Sequence, residues 1–181
     1  IIMEFKAVIT PYDEKRLKDN EKTIKEGVRQ VNKRCEIIKT DWEKIRNLVN
    51  ITLPNQPFPN EKIIKIMCTN IYDFSTLEFD DVIVTDESII YKYFQDPYLR
   101  VKRNGETYIE ENLWKEGKPS PKEFISYLKK PNTITIIDEC IGIQGKTFPR
   151  IVDEKVMGFA EFYLKEDPYS EWIGRYVGNN K

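Results

Sequence analysis

Val82-Ile83-Val84-Thr85-Asp86-Glu87-Ser88-Ile89-Ile90-Tyr91-Lys92-Tyr93-Phe94 holds two periodicities side by side. The first four residues form an apolar, β-branched run, the composition of a buried strand, and we extend that strand back to Leu77. From Asp86 onward Ile89, Ile90, Tyr93 and Phe94 fall at helical spacing, and Pro97 ends the pattern. Asp86 stands where a helix N-cap belongs. A strand that passes at once into a short helix sets the tone for the rest of the chain.

Upstream, Ile63 to Thr69 is a second β-branched stretch. Pro54, Pro57 and Pro59 precede it and mark a candidate boundary, dividing a segment 1–53 from a segment 60–181 within what should be one compact unit. Within the first segment, Phe5, Ala7 and Ile9 alternate with Glu4, Lys6 and Thr10, which predicts a strand ending at Pro11. Residues 13–35 are dense in charge, with Leu17, Ile24, Val28, Val31 and Cys35 on one narrow helical stripe. Such a stripe suits a helix packed along a sheet or one half of a coiled coil, so an oligomer through 13–35 is one expectation. Gly27 weakens that helix locally. Thr40-Asp41-Trp42-Glu43 has the form of a capping box and predicts a second helix to about Val49.

Downstream, Arg100 to Ile109 contains Asn104-Gly105, the pair best suited to a two-residue turn, and predicts a hairpin. Ser120-Pro121-Lys122-Glu123 starts a helix carrying Phe124, Tyr127 and Leu128 that must stop before Pro131. Strands are expected at Thr133 to Ile137, Phe148 to Val152, Val156 to Leu164 and Trp172 to Val177. Short helices among hairpin-linked strands make an α+β fold, an N-terminal helical segment packed on a mainly antiparallel sheet.

Composition narrows the chemistry. The 181 residues include no histidine, which removes Ser-His-Asp and Cys-His hydrolysis and His-ligated metal sites. With 40% hydrophobic and 12% aromatic residues the chain can bury a real core. Against 29 basic groups stand 30 acidic ones, so a net charge of −1 gives no general pull toward nucleic acid or membrane. No apolar run nears the roughly 18 residues that span a bilayer. The start, Ile1-Ile2-Met3-Glu4, lacks the basic flank and apolar core of a signal peptide. Cys35, Cys68 and Cys140 are odd in number and far apart, which suggests reduced thiols and a cytoplasmic setting.

Two apolar runs end in Asp-Glu: the quoted one, and Ile134-Thr135-Ile136-Ile137-Asp138-Glu139. If both are strands with their ends together, Asp86, Asp138 and Glu139 could hold Mg²⁺ or Mn²⁺, with Asp80 and Asp81 close by. Lys146, in Gln144-Gly145-Lys146, would orient a water, as in metal-dependent nucleases that use Asp…Glu/Gln-x-Lys. The simpler reading is that these acids begin turns or cap helices. Ile136 to Glu139 also resembles the second nucleotide-binding motif of P-loop ATPases, yet no phosphate-cradling loop lies upstream. Cys140 to Thr147 begins with Cys where that loop needs Gly, and Pro149 opposes the helix that should follow. Val156 to Leu164 resembles the central strand of GNAT acetyltransferases over nine residues, without the Gly-rich turn of that family.

The hairpin offers another surface. Arg100, Lys102, Arg103 and Lys118 interleave with Tyr108 and Trp114, a pattern that suits single-stranded nucleic acid, although Glu106, Glu110 and Glu111 offset the field. Because each catalytic set is incomplete, the favoured expectation is a non-enzymatic binding module for protein or nucleic acid, without a cofactor. The alternative is an Mg- or Mn-dependent phosphoryl-transfer enzyme.

Overall fold

The computed structural model describes residues 1–49, 52–103, 106–132, 134–135, 140–152 and 155–165, with mainly the backbone over 101–109 and 146–162. It divides into two units. The first comprises 1–101 and 110–129, and the second 102–109 and 130–181. The proline-bearing stretch 54–59 falls inside the first unit, where the Trp42 indole N–H donates to the Pro54 carbonyl (3.0 Å) and its ring meets Phe58 edge-on.

The first unit is built on a four-stranded sheet in the order β1-β2-β4-β3, from β1 (Ile2–Lys6), β2 (Lys65–Thr69), β3 (Glu78–Phe79) and β4 (Val82–Asp86). Between β1 and β2 run the helices α1 (Glu14–Thr40) and α2 (Trp42–Leu48) and a 3-10 turn at Asn60–Lys62. The long crossover lets β2 return parallel to β1, and β4 is parallel to β2 as well. Antiparallel pairing enters with β3, which returns onto β4 through Asp80 and Asp81, both at positive φ (48° and 62°). Two such residues make the tight turn whose twist suits a hairpin. The expected strand Leu77 to Thr85 is therefore two strands.

The stripe of α1 is used on this sheet. Ile24, Val28, Val31 and Cys35 are almost wholly buried, and the first three pack with Met67, Val82 and Val84 into the main core. Each such side chain contributes about 1.5–3 kcal/mol of burial. The stripe is thus a core face and not a free coiled-coil seam, which corrects the expected oligomer contact along 13–35. Gly27 leaves room for the Met67 thioether, which a Cβ there would overlap. Asn32 holds the far end, donating to the Asp80 carbonyl and accepting from Lys65. Thr40 closes α1 with its hydroxyl on the Glu36 carbonyl, and α2 starts without a side-chain cap, so the capping box expected there is not formed.

Alternation sends Ile66, Cys68, Ile83 and Thr85 to the opposite face, all buried. That face is covered by α3 (Glu87–Gln95) and α4 (Pro121–Lys129). The two helices meet through Tyr93, whose ring lies 5.0 Å from Phe124 and 5.4 Å from Tyr127. Ser120 caps α4 as its sequence predicts, accepting from the Glu123 amide at 3.2 Å. Between these helices comes a hairpin of β5 (Tyr98–Arg103) and β6 (Glu106–Asn112); Asn104 and Gly105 lie outside the described residues.

In the second unit, β7 (Ile141–Val152) and β8 (Lys155–Leu164) form an antiparallel hairpin with an irregularity between Thr147 and Ile151. Ile134 and Thr135 do not begin a strand. Both are helical, with amides donating to the Pro131 carbonyl. Trp172 to Val177 lies outside the described residues. The α+β class holds, with antiparallel pairing in the hairpins and parallel pairing in the sheet that carries α1.

Candidate functional site

Asp86 is where the two readings of the acidic strand ends separate. Its carboxylate is buried and occupied by the chain itself. Oδ1 accepts from the amides of Ser88 (2.8 Å) and Ile89 (3.4 Å) and from the Ser88 hydroxyl, while Oδ2 accepts from the Ser75 hydroxyl (2.8 Å). Asp86 is thus the N-cap of α3 and an anchor for the loop before β3. Asp80 and Asp81 occupy the β3–β4 turn, and among the described residues no group of three or more Cys, Asp or Glu side chains is placed to hold a metal ion. Asp138 and Glu139 lie outside the described residues. Lys146 sits on β7, in the second unit, opposite Phe159, and its side chain is also outside the description. Of the second run only Ile134 and Thr135 are described, and they are helical where Val82 to Thr85 of the first run are strand.

Cys68 and Tyr127 share the neighbourhood of Asp86. Burial, reinforced by the carboxylates of Asp86 and Glu87, pushes the Cys68 thiol up to about 12. Burial does the same to the Tyr127 phenol, with Asp86 as a smaller cause. A thiol so far from ionisation is a poor nucleophile. This corner of the molecule is a capped strand end and not a reactive one.

The hairpin residues are largely structural where their side chains are described. Arg100 donates through Nε to Glu110 and through Nη1 to Asp96, each at 2.7 Å, and its guanidinium stacks over Tyr98. Asp96 also accepts from Lys92, and that hydrogen bond, with the one from Arg100, holds its carboxyl below the usual range. Trp114 donates its indole N–H to the Tyr93 carbonyl at 2.9 Å and turns its ring edge toward Tyr93. A cation bound to two carboxylates and an indole bound to a helix have little left for a base. Lys118 is exposed. Lys102, Arg103 and Tyr108 lie on β5 and β6, with side chains outside the description.

A third surface emerges that neither sequence reading singled out. Between β1 and α3 runs a groove of about 750 Å³ whose lining includes Met3, Phe5, Cys68, Ile90, Tyr91 and Phe94, together with Glu87. Met3, Phe5, Tyr91 and Phe94 are 44%, 49%, 65% and 37% exposed. The alternation in β1 predicted a strand with Phe5, Ala7 and Ile9 on one face, and this is the face left open. Glu4 and Lys6 are the half-buried ones, and Glu4 pairs with Lys6 at 3.1 Å and with Arg34 of α1. A carboxylate held between two cations is tolerable beside a helix, so polarity did not mark the outer face. The signal available in the sequence was the pair Met3 and Phe5 at a spacing of two, with nothing local to say which side faces the core.

The free edge of β1 adjoins this groove. β1 ends the sheet, and among the described residues no strand pairs with its outer side. The Ile2 amide donates to the Ile64 carbonyl at 2.8 Å, so the amides of Ile2, Glu4 and Lys6 point to β2. Those of Met3 and Phe5, with their carbonyls, point outward. An unpaired ladder beside exposed apolar side chains is the arrangement that accepts another extended segment. No family model, no curated protein and no solved structure matches the chain.

Proposed function

We propose that this chain is a non-enzymatic binding module that takes an extended protein segment along the free edge of β1, with side chains seated in the groove before α3. The observation that carries the reading is the coincidence of that open edge with four exposed apolar side chains, Met3, Phe5, Tyr91 and Phe94. Main-chain hydrogen bonds would supply affinity and the groove would select alternate side chains. Protein is favoured over nucleic acid as the partner because Glu87 is the charged residue of the lining and no cation stands in it to meet a phosphate.

Nile red, a neutral dye whose emission rises in apolar surroundings, tests the groove at sub-micromolar protein. The folded chain should brighten it, and Phe5→Asp combined with Tyr91→Asp should remove most of that gain without lowering the melting temperature. Dark dye with the folded wild type overturns the reading. Thermal melting with millimolar Mn²⁺ addresses the competing phosphoryl-transfer reading: a rise in midpoint that Asp138→Asn abolishes would favour the metal enzyme instead.

A further inference from the structure

Resting on that reading, we propose that the segment seated on β1 is β1 of a second copy of this chain, paired antiparallel about a two-fold axis through Phe5. The backbone limits the choice of register. Only Met3 and Phe5 of the strand direct their amides and carbonyls outward, and Ala7, next along the same alternation, lies just past its end. Hydrogen-bonded pairs across the axis must therefore join two of these residues, since in an antiparallel ladder paired residues exchange both bonds.

Charge then selects one register from those left. Pairing Met3 with Met3 sets Ile2 against Glu4 and gains no charge pair. Pairing Met3 with Phe5 of the second copy sets Glu4 against Glu4. Pairing Phe5 with Ala7 sets Lys6 against Lys6. Pairing Phe5 with Phe5 sets Glu4 against Lys6 twice, once on each side of the axis. Like charges directly opposite destabilise a strand pair and opposite charges support it. Glu4 and Lys6 already meet within each chain, with Arg34 on the other Glu4 oxygen, so the cross-copy pairs would extend a charge cluster present on the edge strand. In the selected register the ring of Phe5 meets its own copy and Met3 lies beside Ala7. Both α3 helices then stand on the same face of one continuous sheet. The exposed apolar residues of the groove face their counterparts, and the self-complementary contact closes after two copies.

Sedimentation velocity on the full chain, with charge exchange at two positions, tests this. Wild type should form a dimer. Glu4→Lys alone and Lys6→Glu alone each place like charges opposite in the homodimer and should raise the dissociation constant about tenfold or more. Mixed one to one, the two variants should form a heterodimer at the wild-type concentration, because each lysine again meets a glutamate. Phe5→Pro removes an outward amide without touching the ladder to β2, so it should be monomeric and melt like the wild-type monomer; this variant serves if Glu4→Lys does not fold.

A wild type that stays monomeric, or a dimer indifferent to the exchange, overturns the self-pairing. If the monomeric protein still brightens Nile red and loses this with Phe5→Asp and Tyr91→Asp, the binding-module reading stands with a different occupant. If the dye stays dark as well, both fall.

Discussion

The two edges of the four-stranded sheet are built on opposite principles. At one end β3 is two residues long, folded back by the Asp80-Asp81 turn and tied to α4 by an ion pair between Glu78 and Lys129 (2.6 Å). A short, covered edge offers no template for another strand, and proteins commonly guard edges this way. At the other end β1 is five residues long, with Met3 and Phe5 exposed and their backbone groups turned outward. Proteins seldom leave such an edge without use. The difference teaches where to look for a contact: one edge is closed by local means, and the other stays open for something else to close.

Substitutions on the two faces of the β1 region should separate most widely. Ile24→Ala removes a fully buried side chain under the sheet and should cost about 3–4 kcal/mol in urea unfolding, whereas Phe5→Ala should cost less than about 0.5 kcal/mol in the monomer. Equal costs would mean that β1 has no open face. Proline probes the edge itself. Glu4→Pro deletes an amide directed at β2 and should cost about 3 kcal/mol, while Phe5→Pro should cost less than about 1 kcal/mol. Reversal of that order in chemical denaturation would show the strand facing the other way.

Next comes the capped strand end shared by both halves of the sheet. Asp86→Ala loses the N-cap of α3 and leaves the Ser75 hydroxyl unpaired, an expected loss of about 2 kcal/mol by urea denaturation. If Asp86 instead held a metal, its removal would lower stability only when that metal is present.

Alkali acts on the same interior. The folded chain resists ionising Cys68 and Tyr127, both pushed to about 12 from ordinary values of 9.0 and 10.0. An unfolded chain would release these protons earlier, so their contribution is complete below pH 9 and declines as pH rises toward 12. Urea midpoints at pH 8, 10 and 11 should fall in that order, and Cys68→Ala should flatten the fall. The smallest effect belongs to the closed edge. Lys129→Gln should cost about 0.5 kcal/mol and lose even that in high salt, as expected of a half-exposed ion pair.

The elements that were legible in the residues are those with local causes. Asp86 followed by Glu87 and Ser88 marks a helix start because the carboxylate reaches amides two and three residues on, and it does. Ser120 with Pro121 and Glu123 worked for the same reason. The stripe Ile24, Val28, Val31 and Cys35 announced a buried helix face because its spacing follows from 3.6 residues per turn. Thr40-Asp41-Trp42-Glu43 failed because Thr40 was still inside α1, where its hydroxyl found the Glu36 carbonyl. Ile134 and Thr135 were misread as strand because β-branched propensity is weak against a Pro131 carbonyl that accepts their amides.

The candidate site was less legible. Arg100 and Trp114 look like ligands of a base when read along the chain, but in space they meet Asp96, Glu110 and the Tyr93 carbonyl. The sequence alone determined an α+β composition, a helix over 13–35 that the structure extends to Thr40, short helices after Asp86 and Ser120, and the absence of histidine chemistry. Those follow from caps, turns and periodicities that act within a few residues. Only the tertiary structure decided that β1, β2 and β4 run parallel, that Glu4 and Lys6 sit under α1 while Met3 and Phe5 face out, and that among the described residues no strand pairs with the outer side of β1. Alternation defines two faces of a strand, and which of them meets the core depends on contacts made across more than 60 residues of chain, such as Ile2 to Ile64 and Val8 to Asn70.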